Sequence, residues 1–463
     1  MYRYFLPLTL LIAASAFAQN QSAPEEAHAP AAAALRLAAS SQGSTGQSPT
    51  PGQTGAQATP PPASSSSGKE ITLDEAIRLA LLNNPNLQAT RKQVDENLAQ
   101  EVTANLRPNP ELSGDSQFLP IFNPSQFSSE GLNTITQFDL GLGYLFERGR
   151  KRQNRLQAAR DATSVTRSQV VDAERTLTFN VGQQFINALL AKSNLEFATQ
   201  ALKSFQQTET ISEDRYRAGD ISEGDLLKIR IQLLQFQTDV AQGRVAKAQA
   251  LINLRQLMGY QSVPHDYDVA GDLEYVPLKG QLLDVQAKAL QERPDLRAAQ
   301  QGVTAAQSQV SLAKANGKQD LNLSVNYSHV AGESSTSWFF SIPLPIFDRN
   351  QGEIRRTLFA VDQSKFQATS AEETVMSDVG NAWESATSNE EIVKLYTSGY
   401  LKDAQDSRAI TNYAYNAGAV TLLDLLDSER SYRTTELAYR QALATYMISI
   451  EQLKEAVGTR SLP

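Results

Sequence analysis

The side chains that most often carry chemistry are scarce and scattered in this chain. It has three histidines, His28, His265 and His329, and no cysteine. No two histidines share a helix at the spacing that metal ligation or paired acid–base work would need. Without cysteine there is no thiolate nucleophile, no thiolate metal site and no disulfide framework. No Gly-rich phosphate loop lies between a strand and a helix, and Ser, His and Asp form no nucleophile–base pattern. Beyond the N-terminus the methionines are Met258, Met376 and Met447, too dispersed for a soft-metal lining. The expectation is a chain that is not an enzyme and needs no cofactor and no resident metal. Its 50 Asp and Glu against 42 Lys and Arg also argue against nucleic acid as a partner.

Polar groups with a meaningful spacing do occur at two places. Ser222 stands three residues before Asp225, and Thr421 three before Asp424, the spacing of a capping box with Asp as the acidic member. Each pair follows a glycine, Gly219 or Gly418, of the kind that ends a helix in the left-handed conformation. The second place is a basic cluster, Arg148, Arg150, Lys151, Arg152 and Arg155. It reads either as a contact for lipid phosphates or as a solvated helix face.

The turns belong to an internal repeat. Ala80-Leu81 and Pro85-Asn86-Leu87 recur as Ala289-Leu290 and Pro294-Asp295-Leu296, offset by about 209 residues. Tyr216-Arg217-Ala218-Gly219-Asp220-Ile221 recurs as Tyr415-Asn416-Ala417-Gly418-Ala419-Val420, offset by about 199. Asp225-Leu226-Leu227 and Met258-Gly259 recur in that frame as Asp424-Leu425-Leu426 and Val457-Gly458. Each half reads as two short helices, two strands, a very long helix, a tight turn and a second long helix. The units run 69–275 and 276–463.

From about Arg150 to Arg217 no proline interrupts the chain, which predicts a helix on the order of 100 Å long. Its counterpart is predicted to run unbroken from about Gly352 to Asn416. Leu226, Ile229, Leu233, Phe236, Val240, Gly243, Lys247, Ala250, Leu254 and Leu257 step alternately by three and four, the coiled-coil condition. Gly243 and Lys247, with Ser428, Thr435 and Ser449 on the counterpart, suit helices packed sideways around a wet lumen.

Only between the helices does the period fall to two. Leu321, Leu323, Val325 and Tyr327 alternate with polar residues, and Trp338, Phe340, Ile342, Leu344 and Ile346 share one parity. In the first half Thr134, Thr136, Phe138, Leu140, Leu142, Tyr144 and Phe146 do the same. Runs of about ten residues, apolar on one face and polar on the other, are the pattern of membrane-barrel strands. Phe138, Leu140, Tyr144, Leu321, Leu323, Val325, Tyr327, Trp338, Phe340 and Ile342 are the expected lipid face. Four strands cannot close a barrel around a channel, but several chains each giving four can.

At the N-terminus Arg3, an apolar stretch to Ala14 and Ser15-Ala16-Phe17-Ala18 predict a secretory signal over 1–18, cleaved before Gln19. With no cysteine behind the apolar core, no lipid anchor is expected there. Residues 19–68, rich in Ala, Pro and Ser, are expected to be a disordered linker. No later stretch of about 18 apolar residues offers a transmembrane helix.

Taken with the duplicated layout, residues 70–460 are similar to the TolC-type outer-membrane factors. Pro343-Leu344-Pro345-Ile346-Phe347-Asp348-Arg349-Asn350-Gln351-Gly352 and Leu145-Phe146-Glu147-Arg148-Gly149-Arg150-Lys151-Arg152 resemble the strand-to-helix segments of the CzcC-like branch, which serves heavy-metal pumps. The resemblance implies a mainly α protein with a small membrane β region, in which three chains pool their strands into a twelve-stranded barrel continued by an α-helical barrel in the periplasm. It implies a homotrimer in the outer membrane that works with a periplasmic adaptor and an inner-membrane pump. By the same resemblance Arg217, Ala218, Gly219, Asp220, Asn416, Ala417, Gly418 and Ala419 form the tip that meets the adaptor. A duct for type I protein secretion and a periplasmic coiled-coil scaffold are the alternatives.

Overall fold

The computed structural model describes residues 69–462; the signal, the linker and His28 lie outside the described residues. In chain order the elements are β1 (Glu70–Ile71), α1 (Leu73–Asn83), α2 (Pro85–Ala104), β2 (Glu111–Gln117), α3 (Ser129–Ile135), β3 (Gln137–Phe146), α4 (Lys151–Ala218) and α5 (Glu223–Met258). The second half follows as β4 (Asp268–Val269), α6 (Leu282–Glu292), α7 (Pro294–Asn316), β5 (Leu321–Val330), β6 (Glu333–Ser341), α8 (Gln351–Leu395), α9 (Leu401–Asn416) and α10 (Leu422–Val457). A π turn, Tyr396–Tyr400, joins α8 to α9.

Local chemistry sets the helix ends. Thr72 accepts the Glu75 amide and starts α1. Asn84 and Arg293 are extended because proline follows each, and proline disfavours a helical residue before it. Each of these prolines then opens a helix, where its missing N–H costs nothing. Helix α4 spans 68 residues without a break.

The predicted partner of α4 is not continuous. Gly399 sits at φ 145°, a conformation that a helix excludes and glycine alone adopts easily. A π turn lengthens the chain by one residue per turn, so the sideways-packing positions step by five from Tyr396 to Leu401. Two strand limits also differ from the expectation. Thr134 lies in α3, where its hydroxyl donates to the Glu130 carbonyl at 2.9 Å, and Thr136 precedes β3. Strand β6 ends at Ser341, so Ile342, Leu344 and Ile346 lie beyond it. Pro343 and Pro345 have no amide to give a ladder and stop the pairing there.

Strands β2, β3, β5 and β6 form one antiparallel sheet in that order, and β1 pairs in parallel with β4. Helix α2 packs on α4, α4 on α7 and α7 on α8. The helix order thus repeats the order of the strands that these helices adjoin. Farther along, α4 packs on α5 and α10, and α10 on α9. Equivalent residues of the two halves build separate cores. Ala80, Leu254 and Met258 belong to one, with Val181, Phe185 and Val269. Ala289, Leu453 and Val457 belong to the other, with Val375 and Val379. A third core, Phe205, Ile229, Phe236, Tyr415 and Leu425, joins the two long hairpins near their turns.

Candidate functional site

The register of the sheet decides which residues share a face. Leu142 is opposite Leu112 and Val325, and Val325 is opposite Trp338. Likewise Tyr144 meets Leu323, which meets Phe340, while Leu140 meets Tyr327 and Phe146 meets Leu321. Because side chains alternate along a strand, these positions form one apolar face across all four strands. Much of it is bare: Leu112 is 74 % exposed, Trp338 71 % and Phe340 78 %. Phe138, opposite His329, lies on the same face, and Ile342 lies just past the end of β6.

The opposite face carries Ser113, Asp115, Asp139, Asn322, Asn326 and Ser337. Gln117 donates to Asp115 and Gln137 to Asp139, each at 2.6 Å, and Ser328 also donates to Asp139. Gly141 lets Ser113 and Asn326 close over it on this face, since a Cβ would stand 2.5 Å from Ser113 Oγ and 2.6 Å from Asn326 Oδ1 and would push both side chains aside. The sheet has a greasy side and a polar side, and among the described residues its outer strands β2 and β6 each leave one edge unpaired.

At the far end of the long helices lie the two turns. Gly219 has φ 85° and Gly418 φ 75°. Ser222 Oγ accepts the Asp225 amide at 3.1 Å and donates to its carboxylate at 2.9 Å. Thr421 and Asp424 form the reciprocal box, with the Thr421 amide donating to Asp424 Oδ2 at 2.9 Å. The Ser222 hydroxyl and then Lys228 hold Asp225 below the usual carboxylate range, and Thr421 does so for Asp424. Arg217, Ala218, Gly219, Asp220, Asn416, Ala417, Gly418 and Ala419 are exposed. Arg215 ties the turns together by donating to the Tyr415 carbonyl at 2.9 Å and stacking on the Tyr415 ring.

The basic cluster divides. Lys151 pairs with Asp320 at 2.7 Å, and Arg155 with Glu147 at 2.7 Å and with the carbonyls of Ala104 and Leu106. Arg148 and Arg150 remain exposed beside the sheet.

Several polar residues important to the arrangement escape a pattern search. Arg408 donates to Glu429 and to Ser204, Arg440 to Glu436 and Ser193, and Arg433 to Asp239. Each guanidinium also lies over an aromatic ring, Tyr432, Phe197 and Phe236 respectively. These clamps fasten α9 and α10 to α4 and α5. The sequence signal was an arginine within reach of aromatic seam positions, visible only once the pairing of helices is known. A shallow apolar groove of about 540 Å³ beside β4 is lined by Leu73, Phe185, Val276, Tyr446 and Ile450. Among the described residues no group of His, Asp and Glu could hold a metal ion, and no helix is long and apolar enough to cross a membrane. The described chain is thus a sheet with one apolar and one polar face, carried on a long helical stalk.

Comparison with known proteins agrees. The open-state structure of the Neisseria gonorrhoeae MtrE outer-membrane channel superposes with a TM-score of 0.67 at 20 % identity, covering 84 % of this chain and 89 % of that one, which shows the shared fold. The cobalt-zinc-cadmium resistance protein CzcC of Cupriavidus metallidurans is 22 % identical over 80 % of this chain and 85 % of its own length. The cation efflux system protein CusC of Escherichia coli K12 is 26 % identical over 78 % and 80 %. The model of the outer membrane efflux protein family matches residues 76–260 and 285–459, and the chain belongs to that family.

Proposed function

We propose that this chain is one protomer of a trimeric exit duct that carries small solutes across the outer membrane for a tripartite pump, without catalysis. The observation that carries the reading is the sheet. One apolar face must meet lipid, and two unpaired edges cannot persist there. Three copies of four strands close a barrel of twelve, wide enough for a channel. Phe138, Leu140, Tyr144, Leu321, Leu323, Val325, Tyr327, Trp338 and Phe340 then face lipid, and Ile342 marks the border. The repeats 69–275 and 276–463 each give one hairpin to the sheet and one to the stalk.

In this arrangement the turns around Gly219 and Gly418 point away from the membrane and present the exposed tip residues to a periplasmic adaptor. Ser222, Asp225, Thr421 and Asp424 hold the helix starts in shape for that contact. Metal cations are the proposed cargo, supported by relatives described as cation efflux and cobalt-zinc-cadmium resistance proteins. The test compares cell-associated zinc, cobalt and copper in cells with and without the gene under metal challenge. A severalfold rise in the deletion strain supports metal efflux. A rise in retained dye with unchanged metal moves the cargo to organic solutes. Loss of a secreted protein alone supports the type I secretion duct.

A further inference from the structure

We infer that the loop between β2 and α3, residues 118–128, is a membrane-binding element in its own right, which seats its apolar side chains among the acyl chains of the outer leaflet beside the barrel rim. The inference rests on the membrane reading above and adds to it a segment that lies outside the strands. Helices α2, α4, α7 and α8 adjoin one end of the sheet, so this loop lies at the other end, away from the stalk. With the stalk in the periplasm, that end faces outward.

The loop is built unlike a solvated one. Phe118, Leu119, Ile121, Phe122 and Phe127 are all exposed, Phe122 at 99 %, Phe118 at 67 % and Ile121 at 66 %. Between Asp115 and Glu130 no residue carries a charge. A rim-exposed apolar patch of this kind marks a surface that has a partner. The backbone holds the patch open. Phe118 takes φ 58° and turns the chain out of β2. The Ile121 amide donates to the Leu119 carbonyl at 2.8 Å and the Asn123 amide to the Pro120 carbonyl at 3.0 Å, and Pro124–Gln126 forms a 3₁₀ turn. Pro120 and Pro124 also fix their own φ. The phenyl groups thus stand on a set frame, which lowers the ordering cost of binding.

Helix α3 selects lipid as the occupant. His329 is opposite Phe138, on the apolar face of the sheet, because side chains alternate along a strand. Its Nε2 donates to Asn133 Oδ1 at 2.8 Å, and its Nδ1 accepts from Ser334 Oγ at 3.2 Å. A Cβ on Gly332 would stand 3.5 Å from Asn133 Nδ2. These contacts fasten α3 to the end of the sheet on its lipid side. The loop runs from β2 into α3, so its apolar surface continues the lipid face past the strand ends. A plug over the channel mouth would call for α3 on the polar face instead. The other turn at this end, Ala331-Gly332, is followed by Glu333, Ser334 and Ser335 and offers no apolar group of comparable size. Each copy therefore supplies one such loop, and three of them around the rim resist the barrel being drawn inward along its axis.

The chain has no cysteine, so a single introduced one can carry a bimane label. The full-length protein is placed in phosphatidylcholine vesicles whose acyl chains carry bromine, and iodide is added to the buffer in a parallel sample. With the loop seated about 5–10 Å into the acyl boundary, the label at Phe122→Cys should lose about half its emission to the brominated lipid. Iodide should quench it about threefold less than the same label at Asp220→Cys on the stalk tip, which stays in water. Ile121→Cys should behave as Phe122→Cys does, and both positions are exposed, so neither change disturbs the packing. Trp338→Cys, on the lipid face of β6, is the reference for the membrane reading itself. Quenching by lipid at Trp338→Cys but by iodide alone at both loop positions places the loop in water and overturns the inference while the membrane reading stands. Loop labels that neither quencher reaches place the loop between copies over the mouth and overturn it equally. A Trp338→Cys label insensitive to the brominated lipid removes the membrane reading and the inference with it.

Discussion

At the joint between its two short helices, the first half of the chain uses Asn84 and the second uses Arg293. Asn84 is neutral and makes two contacts: its Oδ1 accepts the Leu87 amide, and its Nδ2 donates to the Leu257 carbonyl at 2.9 Å. Arg293 donates to the Ala456 carbonyl, which is the counterpart of Leu257 in the repeat. It also donates to Asp295 at 2.9 and 2.5 Å and to Asp378 at 2.9 Å. The same geometric task, holding a proline-opened helix against the end of a long one, is met once by an amide and once by a buried charge network. The glycines that follow conform: Gly259 lies against Asn83 and Gly458 against Arg293, each with positive φ. Duplication preserved the backbone contact and let the side-chain chemistry diverge, so the two joints should differ in how much they lose on mutation and how they respond to pH.

The largest effect is expected at Arg293, whose side chain is 3 % exposed. Arg293→Met leaves Asp295 and Asp378 without their partner and should cost about 3 kcal/mol, read from thermal unfolding in detergent. A loss below about 1 kcal/mol would mean the charges cancel no better than an apolar core would. Gly399→Ala comes next, at about 1–3 kcal/mol, because alanine does not tolerate that φ. Gln200→Gly, at the matching place in unbroken α4, should cost only about 1 kcal/mol. Equal losses at both sites would show that the break in the second half is not a strained feature. Asn84→Ala should cost about 1–2 kcal/mol through the lost cap and the orphaned carbonyl.

The smallest effect is a pH dependence with opposite signs at neighbouring carboxylates. Burial pushes Glu455 above the usual range, against the pull of Arg175 and Arg293. The folded chain then holds this proton more tightly than the unfolded one, and ionising it at neutral pH costs stability. Glu455→Gln should raise the melting temperature at neutral pH by about 1 °C, and the gain should fade on acidification as Glu455 protonates. Burial also pushes Asp295 upward, but Arg293, with Arg175, outweighs it and holds the carboxyl low. Its contribution is present above the ordinary carboxylate range and lost as pH falls through the lower folded value. A gain from Glu455→Gln that grows on acidification would reverse the assignment.

Features set by local chemistry were readable from residues alone. Thr72, Gly219 and Ser222 mark helix ends because caps and left-handed turns depend on a few adjacent groups, and the buried seam of α5 follows from its period of three and four. The break at Gly399 was missed because a single glycine inside a long polar helix looks like any tolerated glycine. The boundary at Thr134 was missed because a seven-residue helix is too short to show its period. Pairings across distance, such as Arg293 with Asp378 or Arg440 with Ser193, depend on which helices meet, and no local pattern encodes that. The repeat was the one sequence signal that reached across the chain, and it gave the layout without giving the contacts.

The most direct test of the account is single-channel recording in planar bilayers of the detergent-purified protein, with its mass measured by light scattering on the same sample. A particle of three chains that gives small, discrete current steps is expected. A water-soluble single chain that leaves the bilayer silent would contradict it.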